Sequence, residues 1–162
     1  MADYTRLTDT VNCQEGRAYM TKNGQNRKLF DLSKLTADVE IKTKTKQMLG
    51  HRVEQTKPTG MKITGSLTVY LMTSDFIDYA RKYKETGVLD PITIQTVMED
   101  PQSTVGRSEI LLKDVVLSRA ALVNIDDSTD DAATFDTDFT AGDFEILSRF
   151  VEPESYSGGY RR

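Results

Sequence analysis

The sequence predicts a mainly β fold, a β-sandwich or barrel-like domain with one flanking α-helix. Two observations carry this. About seven to nine segments read as strands, and in Thr36–Lys46, Met61–Met72 and Phe135–Thr140 the residues alternate with the period of a strand. A single segment, Ser74 to Thr86, repeats its apolar residues at helical spacing instead. One amphipathic helix with no second helix to pack on must lie against a sheet. The 162 residues suit one domain with a real core, and neither an internal repeat nor a second domain is visible.

Residues 1–14 read as a loose N-terminal arm. Arg17 to Thr21 form a short strand, Asn23-Gly24 carry the signal of a tight hairpin, and Lys28 to Leu32 return as the partner. Thr36 to Lys46 alternate strictly. Ala37, Val39, Ile41, Thr43 and Thr45 fall on a face expected to be buried, while Asp38, Glu40, Lys42, Lys44 and Lys46 fall on the wetted one. The lysine row reads most simply as a solvated edge that discourages stray pairing. Its rival is a basic stripe that meets an acidic neighbour. Residues 46–60 form a long polar loop, and Met61 to Met72 form a strand interrupted on its apolar face by Gly65. Such a glycine marks a bulge, a bend or a close backbone approach.

The helix begins after Thr73 or Ser74, either of which can accept from free first-turn amides. Phe76, Ile77, Tyr79, Ala80 and Tyr83 make its apolar stripe, read as core. Asp75 and Asp78 lie near its start, and Arg81, Lys82 and Lys84 near its end, as the helix dipole favours. Gly87 stops it and Pro91 prevents its resumption. Ile92 to Glu99 form a strand. Ser108 to Ser118 form a long one, apolar on both faces and so expected to be covered on both. Ala120 to Ile125 continue as another. Asp126 to Asp131 are an acidic loop, Phe135 to Thr140 alternate again, and Asp143 to Leu147 form the last strand. Residues 151–162, ending SYSGGYRR, are expected to be mobile.

Net charge is −4, unevenly placed. Lys and Arg outnumber Asp and Glu in residues 1–60, whereas Ala120 to Ser148 contain eight acids and no basic residue. That balance opposes tight nucleic-acid binding, which needs cations against phosphates. It leaves open a surface that DNA slides past, where attraction would hinder. Cys13 is the one cysteine, so no internal disulfide is possible, which fits a reducing compartment. No apolar run approaches a membrane span, and the polar N-terminus carries no signal-peptide stretch, so secretory export is not expected.

Candidate chemistry is sparse. A zinc site needs several His or Cys, and a catalytic His needs a partner held nearby. His51 and Cys13 are the only candidates of those types, so His51 reads as a loop or interface residue. Asp126, Ser128 and Asp130 have the spacing of a calcium loop. Asp131 stands where its glycine belongs, however, and Thr137 where its bidentate Glu belongs, so a solvated loop is the reading. No phosphate-binding glycine loop, nucleophile elbow or HExxH motif occurs. The expectation is no catalytic residue, no metal, no cofactor and no enzyme activity. A long arm and polar-faced strands point to assembly instead. A small ligand-binding β-sandwich is the distant alternative.

Several short motifs, in order and spacing, carry a resemblance over roughly Asn12 to Phe150. They are Glu15-Gly16-Arg17, Gly50-His51-Arg52, Thr59-Gly60, Thr64-Gly65, Tyr70 and Thr73-Ser74-Asp75-Phe76, then Gln95-Thr96-Val97, Glu99-Asp100, Gly106-Arg107, Leu112-Lys113-Asp114-Val115 and Phe139 with Asp143-Phe144. The chain resembles the XkdM-like phage tail tube family of PBSX-type prophages and contractile tails. It departs from it in a slightly longer N-terminal arm and in the SYSGGYRR tail.

The resemblance implies a structural subunit of the virion tail, made in the bacterial host cytoplasm. Its copies form hexameric rings that stack into a hollow tube inside a contractile sheath, the conduit for DNA ejection through the host envelope. Implied partners are other copies, the sheath, a baseplate or tube initiator, and a tail terminator. DNA would pass without specific binding, and the monomer would not insert into membranes. The inner tube of a DNA-free bacteriocin or secretion-type injection machine is the near alternative. On this reading Gln47, Met48, Leu49, Gly50, His51, Arg52, Val53, Glu54, Gln55, Thr56, Lys57, Pro58 and Thr59 are an inter-subunit contact loop. Asp38 and Glu40, or Asp136 and Asp138, are lumen-facing candidates, since each pair lies on the polar face of an alternating strand.

Overall fold

Asn23 and Gly24 both have positive φ, 52° and 77°, the backbone that a two-residue hairpin turn requires. In the computed structural model, which describes residues 6–28 and 32–153, they join β1 (Gly16–Lys22) to β2 (Gln25–Lys28). The return strand therefore starts at once, with Lys22 opposite Gln25, rather than at Lys28 as expected. A tight turn leaves no residues to spare. The other elements are β3 (Leu32–Lys46), β4 (Gln55–Tyr70), α1 (Asp75–Thr86), β5 (Ile92–Glu99), β6 (Arg107–Leu117), β7 (Thr134–Ala141) and β8 (Asp143–Ser148). The protein is mainly β with one helix, as predicted.

The chain divides into two compact units. The first comprises Met1–Phe30, Pro91–Lys113 and Phe144–Arg162. Its strands bond in the order β2-β1-β5-β6, with β8 also on β6. Ala18, Met20, Ile92, Ile94, Val97, Val105 and Leu112 are its buried apolar side chains. Residues 6–14 depart from the loose-arm expectation. They make 3-10 turns at Leu7–Asp9 and Cys13–Glu15. The Thr104 amide donates to the Thr8 carbonyl at 3.0 Å, the Thr104 hydroxyl to Asp9 Oδ1 at 2.6 Å, and the Asn12 amide to Asp100 Oδ2 at 3.1 Å. Of the expected tail, Val151 donates to the Val105 carbonyl, and 154–162 lie outside the described residues, as do 1–5.

The second unit comprises Asp31–Asp90 and Asp114–Asp143, with strand order β6-β7-β4-β3. Its core is Ile63, Leu67, Val69, Phe76, Tyr79, Val115, Leu117 and Phe139, with Thr137 the buried polar member. Thr137 is satisfied: its hydroxyl accepts from the Arg119 amide at 3.2 Å and lies 3.0 Å from the Arg119 carbonyl. The helix buries Phe76 and Tyr79 of its stripe but leaves Ile77 and Tyr83 exposed. Phe76 packs against Phe135 with ring centroids 6.2 Å apart. Ser74 is the N-cap without a side-chain bond, so the expected hydroxyl cap is absent; Gly87 at φ 70° closes the C-terminus, donating to the Tyr83 carbonyl.

Two other expectations change. Ala120 to Ile125 form no strand, and Leu122, Val123 and Ile125 are exposed. In β6, Leu112, Val115 and Leu117 are buried, but Val116 faces outward, so its end is covered on one face only.

Candidate assembly surface

From Ile63 to Val69, β4 is paired on both edges, with β3 and with β7. From Gln55 to Lys62 it pairs with β3 alone. The distal half of the hairpin is thus a two-stranded ribbon, and every residue in Thr36–Lys46 and Gln55–Lys62 is exposed. The face expected to be buried is not: Val39 is 43% exposed, Ile41 60% and Met61 63%. Period-two patterning names which residues share a face but not what covers it. A lone ribbon is marginal in water, so this one, 15 and 16 residues per strand, lacks a cover that the single chain does not supply.

The expected loop Gln47–Thr59 is correspondingly shorter. Gln55, Thr56, Lys57, Pro58 and Thr59 belong to β4, and the connection proper is Gln47–Glu54. Met48 to His51 form a turn, with the His51 amide donating to the Met48 carbonyl at 3.2 Å and Gly50 at φ 81°. Positive φ at that third position is the conformation glycine tolerates best. Gln47 Nε2 donates to the His51 and Arg52 carbonyls, and His51 Nδ1 lies 3.0 Å from the Val53 carbonyl. The one histidine therefore ties down a turn. Pro58 sits at a register shift between Lys42 and Thr43, where a missing amide costs the ladder least. The residue skipped in pairing, Thr59, donates its hydroxyl to the Lys42 carbonyl at 3.2 Å.

The register also unites the two acidic pairs. Ser66 of β4 stands opposite Thr36 of β3 and Asp138 of β7. Thr64 stands opposite Asp38 and Thr140, Lys62 opposite Glu40, and Thr68 opposite Lys34 and Asp136. Directly opposed residues share a face, so Asp38, Glu40, Asp136 and Asp138 all lie on one side of β3-β4-β7. That side is rich in hydroxyls. Thr36 Oγ1 and Ser66 Oγ are 2.8 Å apart, and Thr68 Oγ1 donates to Asp136 Oδ1 at 2.7 Å. The reverse side carries Ile63, Leu67, Val69, Thr137 and Phe139, the core. A shallow depression on the polar side is lined by Thr36, Asp38, Lys62, Thr64, Ser66, Ser118, Asp138 and Thr140, with Gly65, Val116 and Phe139 among them.

Further toward the tip, the same face of β3 continues as Lys42, Lys44 and Lys46, with Lys44 directly opposite Lys57. Sequence reading identified the lysine row but missed this opposed pair, because it placed Lys57 in a loop. It also missed the exposure of Leu122, Val123 and Ile125, whose apolar run looks the same whether covered or not.

A family model described as phage tail tube protein matches residues 3–148. The chain belongs to the phage tail tube family. This is a structural family and not an enzymatic one. Relatives in Bacillus subtilis (strain 168) are the phage-like element PBSX protein XkdM, 27% identical over 91% of this chain and 97% of that protein, and the uncharacterized protein YqbM, 27% identical over 87% and 92%. The fold of this tail tube chain matches one in the cryo-EM structure of the anti-feeding prophage cap, with TM-score 0.68 and 9% identity over 90% of this chain and 96% of that one. A chain of the sheath–tube complex of the PVC extracellular contractile injection system matches with TM-score 0.66 and 9% identity, over 86% and 92%.

Proposed function

We propose that this chain is the repeating subunit of a contractile-tail tube, six copies to a ring and rings stacked into a hollow conduit for DNA. The observation that carries this is the single polar face of β3-β4-β7 bearing Asp38, Glu40, Asp136 and Asp138, with the core on its reverse. A face that is wetted and hydroxyl-rich, with Asp38, Glu40, Asp136 and Asp138 beside Lys34 and Lys62, suits a lumen wall. Its carboxylates offset those lysines, so phosphate meets no strong attraction and DNA slides rather than binds.

If six copies each lend about four strands, about 24 strands at ~4.8 Å spacing and ~40° tilt close a wall about 48 Å across, wider than a DNA duplex. The hairpin of β3 and β4, with its tip Gln47–Glu54, is the arm that reaches another copy. The cover that Val39, Ile41 and Met61 lack would come from that contact. Head-to-tail contacts that close by rotation make rings, and a second face stacks them. Sheath, baseplate initiator and terminator would then bind the outer surface and the two ends of the tube.

Electron microscopy of the purified protein at rising concentration, alone and seeded with purified tail baseplates, tests the reading. Rings or tubes with an open centre support it; a monomer that seeds cannot extend overturns it. The fold shared with injection-system chains favours, as second reading, a tube that carries no DNA. Nuclease-protected DNA within native particles separates the two.

A further inference from the structure

The tail-tube reading leaves open what the hairpin docks on. We infer that the lysine face and apolar tip of one copy's hairpin seat on residues 120–131 of a second copy. Three independent features of the chain point there.

Between Lys42 and Lys57 lie five basic residues, Lys42, Lys44, Lys46, Arg52 and Lys57, against the single acid Glu54. All are exposed. Between Ala120 and Asp131 lie Asp126, Asp127, Asp130 and Asp131 and no basic residue, again all exposed. Two patches of opposite sign on one chain favour a head-to-tail contact between copies, since like patches repel.

Lys44 stands directly opposite Lys57. Like charges so placed destabilise a ribbon, and an acidic partner laid across them relieves the repulsion. A purely solvated edge needs lysines, but it does not need two of them paired.

The apolar parts match as well. At the tip Met48, Leu49 and Val53 are exposed, Leu49 completely. In the other segment Leu122 is 71% exposed, Val123 72% and Ile125 89%. Ala120–Ile125 has the composition of a strand, yet among the described residues its backbone joins no strand ladder. Its position is held, because Arg119 donates to the Asp136 carbonyl and Asn124 Nδ2 to the Thr134 carbonyl. The acidic turn is held too: Asp126 Oδ1 accepts from the Ser128 amide and hydroxyl. A positioned segment that is apolar at one end and acidic at the other complements a tip that is apolar and basic.

The test is a charge swap within the full chain. One variant carries Lys42→Glu, Lys44→Glu and Lys46→Glu, a second Asp126→Lys, Asp127→Lys and Asp130→Lys, and a third carries both sets. All six sites are exposed, and thermal melting checks that each variant folds. In ~0.05 M salt either set alone should raise the concentration needed for tube growth about tenfold or more. The combined variant should return to within about threefold of wild type, because the pairing is restored in reverse. A second measurement uses the wild type: carbodiimide coupling of tubes grown from mixed light and heavy isotope chains. Expected are mixed-isotope links from Lys42, Lys44, Lys46 or Lys57 to Asp126, Asp127, Asp130 or Asp131. Tube growth by the acidic-loop variant at wild-type concentration, or wild-type lysines that couple only to other carboxylates, overturns this docking and leaves the tail-tube reading standing. Wild type that forms no assembly, even when seeded, overturns both.

Discussion

A Cβ built on Gly65 would lie 2.4 Å from Cζ of Phe139 and 2.3 Å from the carbonyl oxygen of Thr36. Gly65 and Phe139 are partners in the β4–β7 ladder, and the Phe139 ring fills the space where a side chain would stand. The glycine in the apolar row is thus a close approach, and not a bulge, since pairing runs through it without a shift. Gly65→Ala should cost about 2–3 kcal/mol of stability by overpacking, read as an earlier urea midpoint at unchanged slope. An unchanged midpoint would mean that both the Phe139 ring and the Thr36 backbone move aside freely.

Phe139 is only 1% exposed and has Gly65 beside it, so truncation leaves a void that no neighbouring side chain fills. Phe139→Ala should cost about 3–5 kcal/mol. Denaturant unfolding checks the magnitude, and a loss under about 1 kcal/mol would show that the site collapses around the smaller residue.

Lys46 and Gln55 face each other at the end of the hairpin ladder. Replacing 47–54 with Asn-Gly therefore closes the ribbon by a two-residue turn without touching the core. The shortened chain should melt within about 3 °C of the parent and fail to form tubes. Tube growth at wild-type concentration would remove Gln47–Glu54 from the assembly contact.

Asp38→Asn, Glu40→Gln, Asp136→Asn and Asp138→Asn together remove the acids of the polar face without changing its shape and leave Lys34 and Lys62 unopposed. Tubes should still grow but retain DNA, seen as nuclease-protected fragments, with the retention falling as salt rises. Tubes that exclude DNA as before would place that face away from the lumen.

Burial holds the Tyr79 phenol above its ordinary pKa of 10.0, with the Asp90 charge adding to the rise and a backbone hydrogen bond at Leu117 opposing it. The folded-state value is raised, so the stabilisation is fully present below pH 10 and is lost as pH rises through the folded-state value. Stability measured across the alkaline range should decline above about pH 10. Tyr79→Phe should flatten that decline, and an unaltered slope would assign it to other groups.

Alternation made much of this molecule legible. Phe135, Thr137 and Phe139 against Asp136 and Asp138 located both the core face and the wetted face of β7, and each half proved right. Asn23-Gly24 located a hairpin turn, because positive φ is a local property of those two residues. Thr36 to Lys46 shows where the same reasoning ends. Their period identified a strand and its two faces correctly, but the face read as buried is open. For the same reason Ala120 to Ile125 looked like a strand, though in the single chain it has no ladder to join.

Local sequence therefore determined most of the extended segments, though not Gln55–Thr59 or Ala120–Ile125, where α1 begins and ends, and that no catalytic or metal-binding chemistry was to be expected. It determined as well that the charge is split between a basic hairpin and an acidic loop. Only the tertiary structure decided that Gly65 makes room for Phe139, that Lys44 faces Lys57, and that Asp38, Glu40, Asp136 and Asp138 share one side of one sheet. The reason is physical. Periodicity is a property of one strand, whereas register is a relation between strands distant in sequence, set by which pairing buries the most apolar surface.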